Sequence, residues 1–516
     1  MENNRYILAM YDIRGKQEFI YRTGKIKAIM GASYMIRDCF EDYLYPAAKA
    51  CSSKGIFSYK KKENEDAEFT PGSFKRHLEE GYIGEVVYDG GGNFFVLYRD
   101  ADAYRTVNRK FYRSLLEGTY SLRVLTTYIE GVDFDDFTGD RNRLYEKHHR
   151  RERQETMLPP VNTLPIVQTD YQTSLPLAEI CNVPDGKEKV SRELAKKYEK
   201  YDAVDKKGTG DREIQGKRKL DELITKKGEE SLLAVVYIDG NNMGAQVQKC
   251  IGSQTSYETC VKALREFSDD IQKNYIDDRI EDVNRLLREK GAQGRRFIVY
   301  AGDEVTFICN ARQAYDVAKE YLTELYKSSP EGAPRTSCAG IAVFHSHAPF
   351  ADAYRIAEEC CESGKKLMKE LKMTDASLID FHYCQGAFGT SLDAIRRDEG
   401  TETLSRPWFV VCDEKDRGKG ETLVAHTYFS DDTVQKMRRV LNDAGRGNIK
   451  DLAMSAKRSA ADFLAEKERI TAHNAEKEID FSLGGELDDD QQLRLISDMV
   501  LVYDIWFDDT KEGREG

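Results

Sequence analysis

The eleven residues Val299–Cys309, VYAGDEVTFIC, are apolar at both ends and carry Asp303 and Glu304 side by side in the middle. The simplest geometry for such a run is a β-hairpin, with Phe297–Tyr300 and Val305–Cys309 as strands and Ala301–Glu304 as the tight connection. Both carboxylates then stand at the tip. Adjacent like charges repel unless solvent or a cation absorbs the repulsion, so the pair reads either as an ordinary polar turn or as ligands of a divalent ion such as Mg²⁺.

The flanking sequence decides how much weight that pair deserves. LLAVVYI (232–238) reads as a fully apolar strand, followed by the turn DGNNMG and a helix with Tyr257, Cys260, Val261, Leu264, Phe267 and Ile271 at helical spacing. After the hairpin, Asn310 is a plausible N-cap for a helix whose apolar face carries Ala314, Val317, Ala318, Tyr321, Leu322 and Leu325. A strand at Ser337–Phe344 and a helix opened by Pro349 follow, with Cys360 and Cys361 on the helix's apolar side. The order is β-α-β-β-α-β, the ferredoxin-like arrangement, in which the first and third core strands are neighbours. That topology brings Asp239, at the end of the first strand, beside Asp303 and Glu304.

The N-terminal part repeats the plan. YILAMYDI is a strand, GASYMIRDCFEDYL a helical segment, EVVYDGGGNFFVLY a hairpin, residues 101–116 a helix and LRVLTTYIE a strand. At the hairpin tip this copy has Gly92 and Asn93 where the other has Asp303 and Glu304, so it lacks the acidic pair. The expected organisation is α+β: a degenerate palm-like domain (1–134), a charged helical linker or insert (135–230), a second, catalytic domain of the same fold (231–384) and a mainly helical C-terminal domain (385–516). The insert opens with a basic cluster, Arg141, Arg143, Lys147, His148, His149, Arg150, Arg151 and Arg153, which is either a solvated helix face or a contact for RNA or a partner.

Composition excludes several classes. A net charge of -12 over 516 residues argues against coating nucleic acid by charge alone. No apolar stretch approaches the ~18 residues of a membrane helix, and the polar start MENNRY is unlike a signal peptide, so no membrane contact and a cytoplasmic location are expected. The eleven cysteines form no Cys-x-x-Cys pair, which points away from a zinc ribbon or a disulfide framework.

The motifs YIDGNNMG, YAGDEVTF, SCAGIAVFHSHAPF and AEECCESGKK, in that order over about 150 residues, resemble the second palm domain of the large polymerase subunit of type III CRISPR effectors and, more distantly, GGDEF diguanylate cyclases. QEFIYRTGKIKAIMGASYMI and YDGGGNFFVL look like the first, degenerate palm of the same subunits. The resemblance implies a nucleotidyltransferase that makes a cyclic or short oligonucleotide second messenger from ATP by two-metal catalysis, with two Mg²⁺ or Mn²⁺ ions on Asp239, Asp303 and Glu304, in antiviral defence and with a downstream nucleotide-activated effector. The adenine preference comes from the resemblance alone. Asn241, Asn242, Gly302, Ser337, Gly340, Lys365 and Lys366 are the expected nucleotide contacts of the second palm. Gly90, Gly91, Gly92, Asn93 and Ser33, the last beside Tyr34, are those of the first. Ser337 and Gly340 either border the base or permit packing, and Lys365 and Lys366 either meet the triphosphate, as a lysine does in related cyclases, or lie on a solvated face.

Three departures from the family pattern stand out. Asn241 occupies a position where many members carry a second Asp, Ala301 replaces the first Gly of the hairpin motif, and Glu304 replaces its final Asp. No His-Asp dipeptide occurs, so the nuclease domain that often precedes these palms is expected to be absent, and Cys181 alone offers no zinc site in the insert. The alternatives are an RNA-binding subunit of a CRISPR-like ribonucleoprotein and a degenerate nucleotide sensor, the latter encouraged only by Asn241.

Overall fold

The computed structural model describes residues 6–61, 64, 67–90, 93–154, 166–183, 186–207, 223, 231–289, 296–384, 390–399, 405–412 and 429–508. Along the first part of the chain run β1 (Tyr6–Arg14), α1 (Lys16–Tyr21), α2 (Ile26–Arg37), α3 (Tyr45–Lys49), β2 (Ile56–Phe57) and α4 (Pro71–Glu79). They are followed by β3 (Gly84–Gly90), β4 (Asn93–Tyr98), α5 (Ala101–Thr119) and β5 (Arg123–Val132). The insert contributes α6 (Phe137–Gln154), β6 (Leu177–Val183), β7 (Gly186–Ser191) and α7 (Arg192–Lys207).

The second part holds β8 (Leu232–Gly240), α8 (Met243–Gly252), α9 (Tyr257–Ile271), α10 (Asp278–Glu289), β9 (Arg296–Ala301) and β10 (Glu304–Asn310). Then come α11 (Ala311–Lys327), β11 (Ser337–His345), α12 (Phe350–Glu370), β12 (Ala376–Tyr383), α13 (Leu392–Glu399) and β13 (Trp408–Cys412). Further along lie α14 (Asp431–Ala444), α15 (Arg446–Arg458), α16 (Ala460–His473) and α17 (Asp489–Val502). Among the described residues, no helix is long and apolar enough to cross a membrane.

Two sheets carry the architecture. The first has the order β2-β3-β4-β1-β5 and the second β13-β12-β11-β8-β10-β9, so each contains the ferredoxin-like core in which the first and third strands are neighbours. The second sheet is extended by β12, parallel to β11, and by β13, antiparallel to β12. The strand-like WFVVC was expected in a separate helical C-terminal domain, and it instead completes this sheet. Its Trp408 is buried against Phe381 of β12 and Tyr315 of α11, which explains the choice.

Local chemistry sets the helix starts. Asn310 caps α11 as expected, its Oδ1 accepting the Arg312 N–H at 3.0 Å, and Ser256 with Thr259 forms a capping box for α9. The hairpin connection is tighter than the sequence suggests: only Gly302 and Asp303 form the turn, and Glu304 is already the first residue of β10. Gly302 takes a φ of 69°, where a side chain would be strained, and this permits the short connection.

The chain divides into two compact units, one drawn from 1–216, 242–276 and 298–303 and the other from 217–241, 277–297 and 304–516. These do not follow the expected domain limits. In the first unit, α9 packs on β3 although it follows β8 in sequence. Tyr257, Cys260, Val261 and Leu264 join a core with Leu8, Met10, Val87, Phe95 and Leu97. The insert, expected to be helical, also forms the two-stranded sheet β6-β7, and Val190, Leu194, Ala195 and Tyr198 pack with Ala28 of α2.

Candidate active site

In the second unit Glu304 lies directly opposite Asp239 in the β10–β8 register. Opposed residues of an antiparallel pair share a face, with Cβ atoms about 4.5–5.5 Å apart, so both carboxylates project together from neighbouring strands. The face is that of α12. Tyr354 of that helix donates its hydroxyl to Glu304 Oε1 at 3.3 Å and meets the ring of Tyr237 edge-on at 5.6 Å. Thr306 Oγ1 also donates to Glu304 Oε1, at 3.3 Å.

Lys365, further along α12, pairs through Nζ with Asp239 Oδ2. Both ends of that pair keep about a fifth to a quarter of their surface in solvent, 24% for Lys365 and 21% for Asp239. Burial works to lower the Lys365 pKa, but the Asp239 carboxylate more than offsets it and holds the ammonium above the ordinary lysine range. Burial, reinforced by the Glu304 and Asp239 charges, raises the Tyr237 phenol, so it stays neutral beneath them.

The remaining predicted residues divide sharply. Asp303 and Gly302 form the turn preceding Glu304, both partly exposed, and Asn242 is exposed at the start of α8. Lys366 is exposed on α12, one position past the pair-forming lysine. Asn241, expected to face nucleotide, is buried at 3% exposure, where Nδ2 donates to the Ala376 carbonyl at 2.9 Å and to Met368 Sδ at 3.5 Å. Its amide therefore ties β8 to β12 and α12. Ser337 is fully buried opposite Gly240, on the sheet face away from α12, and does not line the site.

Gly340 also resolves toward packing: a Cβ there would stand 1.8 Å from the Ala357 carbonyl, so α12 crosses β11 through this glycine. Ser33 is half-buried on α2, and Tyr34 beside it is buried and stacks on Tyr201 of α7, so this motif seats the insert. Gly90 ends β3 and Asn93 opens β4, both partly exposed; Gly91 and Gly92 lie outside the described residues. Among the described residues, no group of three or more His, Cys, Asp or Glu side chains is gathered as a metal site, so the acidic donors reduce to the pair and its neighbour Asp303.

Residues 232–372 match the family model for Cas10/Cmr2, second palm domain. No curated protein matches the sequence. Solved structures similar in fold include the Csm1–Csm4 cassette in complex with cA3, at 16% identity and TM-score 0.41 over 73% of this chain and 54% of that one. The same cassette in complex with AMPPNP gives 14%, 0.43, 85% and 63%, and in complex with cA4 it gives 14%, 0.45, 97% and 70%. In the first of these this chain spans about half the length of the matched chain.

The first palm keeps a carboxylate that sequence reading passed over. Asp12 of β1 faces Asn93, the first residue of β4, in the register that places Asp239 opposite Glu304 in the second palm. Arg14 Nη1 donates to Asp12 Oδ2 at 2.9 Å, and His148 Nε2 of α6 lies 3.2 Å from the same oxygen. Burial alone would raise the Asp12 pKa, but these two partners bring it below the ordinary carboxylate range. The signal was present: Tyr11-Asp12 stands at the end of its strand as Tyr237-Ile238-Asp239 does, displaced by one residue.

The basic cluster on α6 is largely engaged with its own unit. Lys147 donates to the Tyr128 carbonyl at 2.8 Å and Arg151 to that of Thr126 at 2.6 Å, closing the outer edge of β5. His148 Nδ1 lies 3.1 Å from Thr127 Oγ1, Arg143 pairs with Asp140, and Arg141 stacks over Tyr145. Arg143, Lys147, His149, Arg150, Arg151 and Arg153 are nonetheless exposed to solvent.

Proposed function

We propose that this chain is a nucleotidyltransferase that joins ATP into a cyclic or short linear oligonucleotide second messenger, in antiviral defence and as a subunit related to type III CRISPR polymerases. The observation that carries this reading is the direct cross-strand pairing of Asp239 with Glu304 inside the segment that matches the Cas10/Cmr2 second palm. Carboxylate oxygens at a partly exposed sheet end fit Mg²⁺ or Mn²⁺, and Mg²⁺ commonly takes one or two carboxylates with waters and substrate phosphates completing its shell. Asp239, Asp303 and Glu304 are the residues that would hold two such ions. When bound, the ions supply activation of a 3′-hydroxyl and neutralisation of the triphosphate and leaving pyrophosphate.

The chain's own groups do the positioning. Tyr354 and Thr306 orient Glu304, and Lys365 offsets the charge of Asp239. The degenerate-sensor reading loses its one encouragement, since the Asn241 amide is bonded to the Ala376 carbonyl. The ribonucleoprotein-subunit reading stands beside the synthase, with the exposed basic side chains of α6 as its candidate RNA contact.

The test is mass spectrometry of products after incubation with Mg²⁺ or Mn²⁺ and each of the four NTPs, beside a D303A/E304A double variant. A cyclic or oligomeric product from the native protein alone supports the synthase and names its base. If no NTP is consumed, the assay is repeated with RNA from the native host; continued silence alongside measurable nucleotide binding refutes the synthase.

A further inference from the structure

We infer that Lys365 is a built-in counter-cation of the second palm, and that exchange of its ion pair with Asp239 couples metal entry to nucleotide binding. This rests on the metal-binding reading of Asp239 and Glu304. Two carboxylates on one rung of a sheet repel, and the Lys365 ammonium, reaching from α12, pairs with Asp239. Its helix is fixed: Leu367 and Met368 are buried beside it, and α12 crosses β11 at Gly340 without room for a methyl group. The movable part is the lysine stem, a four-carbon chain ending in a compact charge that is 24% exposed.

A divalent ion that ligates Asp239 must therefore displace an ammonium already bonded there, which weakens binding of metal alone. A polyphosphate offers the displaced ammonium another anionic partner. Metal and nucleotide then bind with a coupling beyond what direct phosphate ligation supplies, and by linkage each favours the other.

The first palm shows the same fold position without an exchange. Asp12 is held by Arg14 and His148, Arg14 is itself tied to Glu152, and Asn93 faces it where the second palm has Glu304. In both palms the helix after the fourth core strand brings a nitrogen to this acid, His148 of α6 in one and Lys365 of α12 in the other. In the second palm Glu304 faces Asp239, and the Lys365 ammonium reaches that acid on a flexible stem.

The experiment is a calorimetric Mn²⁺ titration, with and without a non-hydrolysable ATP analogue, of the native chain, K365M and K365Q. Both substitutions should tighten Mn²⁺ alone by about fivefold or more, the lower end of ordinary coupling factors, and shrink the gain in Mn²⁺ affinity that the analogue confers. Unchanged or weaker Mn²⁺ binding in whichever variant folds overturns the inference. In the native chain, Mn²⁺ should raise labelling of Lys365 by an amine-reactive reagent and the analogue should lower it again; constant labelling overturns it too. D239N separates the levels: Mn²⁺ binding as in the native chain overturns the metal reading and the coupling with it, whereas loss of binding without tightening in the lysine variants overturns the coupling alone.

Discussion

At the scale of single residues, the acidic site is defined by what each polar group touches. Asp239 and Glu304 share one rung, and neither is needed to fill the core, so D239N and E304Q should abolish product formation, by at least about a hundredfold, while leaving thermal unfolding close to native. Tyr354 acts through Glu304. Y354F should lower Mn²⁺ affinity or turnover by roughly tenfold, within the range for partners that orient metal ligands, and a variant indistinguishable from native in both would remove its positioning role. Asn241 makes the opposite case. In sequence it looks like a lost metal ligand, yet its amide is a donor to the Ala376 carbonyl in a buried setting. N241D should place a carboxylate against that carbonyl and cost several kcal/mol in a urea denaturation, with no gain in Mn²⁺ affinity. A stable N241D that binds Mn²⁺ more tightly would refute this assignment.

At the scale of elements, α12 matters most, because it brings both Tyr354 and Lys365 to the acids. Its seat on β11 depends on Gly340, where a Cβ would meet the Ala357 carbonyl at 1.8 Å and the Cys361 nitrogen at 2.5 Å. G340A must therefore push helix and strand apart. The expected cost is about 1–3 kcal/mol for overpacking, read by denaturant midpoint, together with weakened contacts at both Tyr354 and Lys365. Periodicity made this helix legible, as it did β8, the hairpin and α11, since their apolar positions repeat at 2.0 or 3.6 residues. Helix placement was less legible. Arg265 sits among the polar-looking positions of α9, but it is buried and donates to the Val86, Val87 and Ala67 carbonyls, fastening α9 to β3. Nothing in a helical repeat tells which sheet an amphipathic face will cover. The β6-β7 hairpin was missed for a related reason: its residues are mostly exposed or half-exposed, so alternation of apolar and polar positions is faint.

At the scale of the whole chain, the sheet of the second palm and the helices after it are joined by a buried set of charges that no local pattern announces. Asp380 of β12 receives a bidentate pair of bonds from Arg396 of α13, at 2.9 and 2.7 Å. Asp498 of α17 accepts the Ser405 and Arg406 backbone N–H groups at 2.6 and 2.9 Å, and Arg406 Nε lies 3.7 Å from its other oxygen. Two acids and two arginines balance. His382, next but one to Asp380 on β12 and 3% exposed, sits close to this set, and burial, then the Arg406 and Arg396 charges, bring its pKa down from 6.5 to about 3 despite the opposing pull of Asp380. The folded chain thus keeps His382 neutral where the unfolded chain protonates it. Between about pH 6.5 and 3 the unfolded state binds the extra proton, so stability contributed by this histidine is complete above that window and falls as the pH drops through it, by up to about 1.4 kcal/mol per pH unit. Asp380, whose pKa the arginines depress, contributes stability above the ordinary carboxylate range that is lost only at lower pH still. H382Q should therefore flatten the decline in unfolding free energy between pH 6.5 and 4.5 relative to the native chain, leaving the steeper acid loss below pH 4 in place. Equal slopes for the two proteins across the upper window would show that His382 is protonated in the folded state and that the buried charges tolerate it.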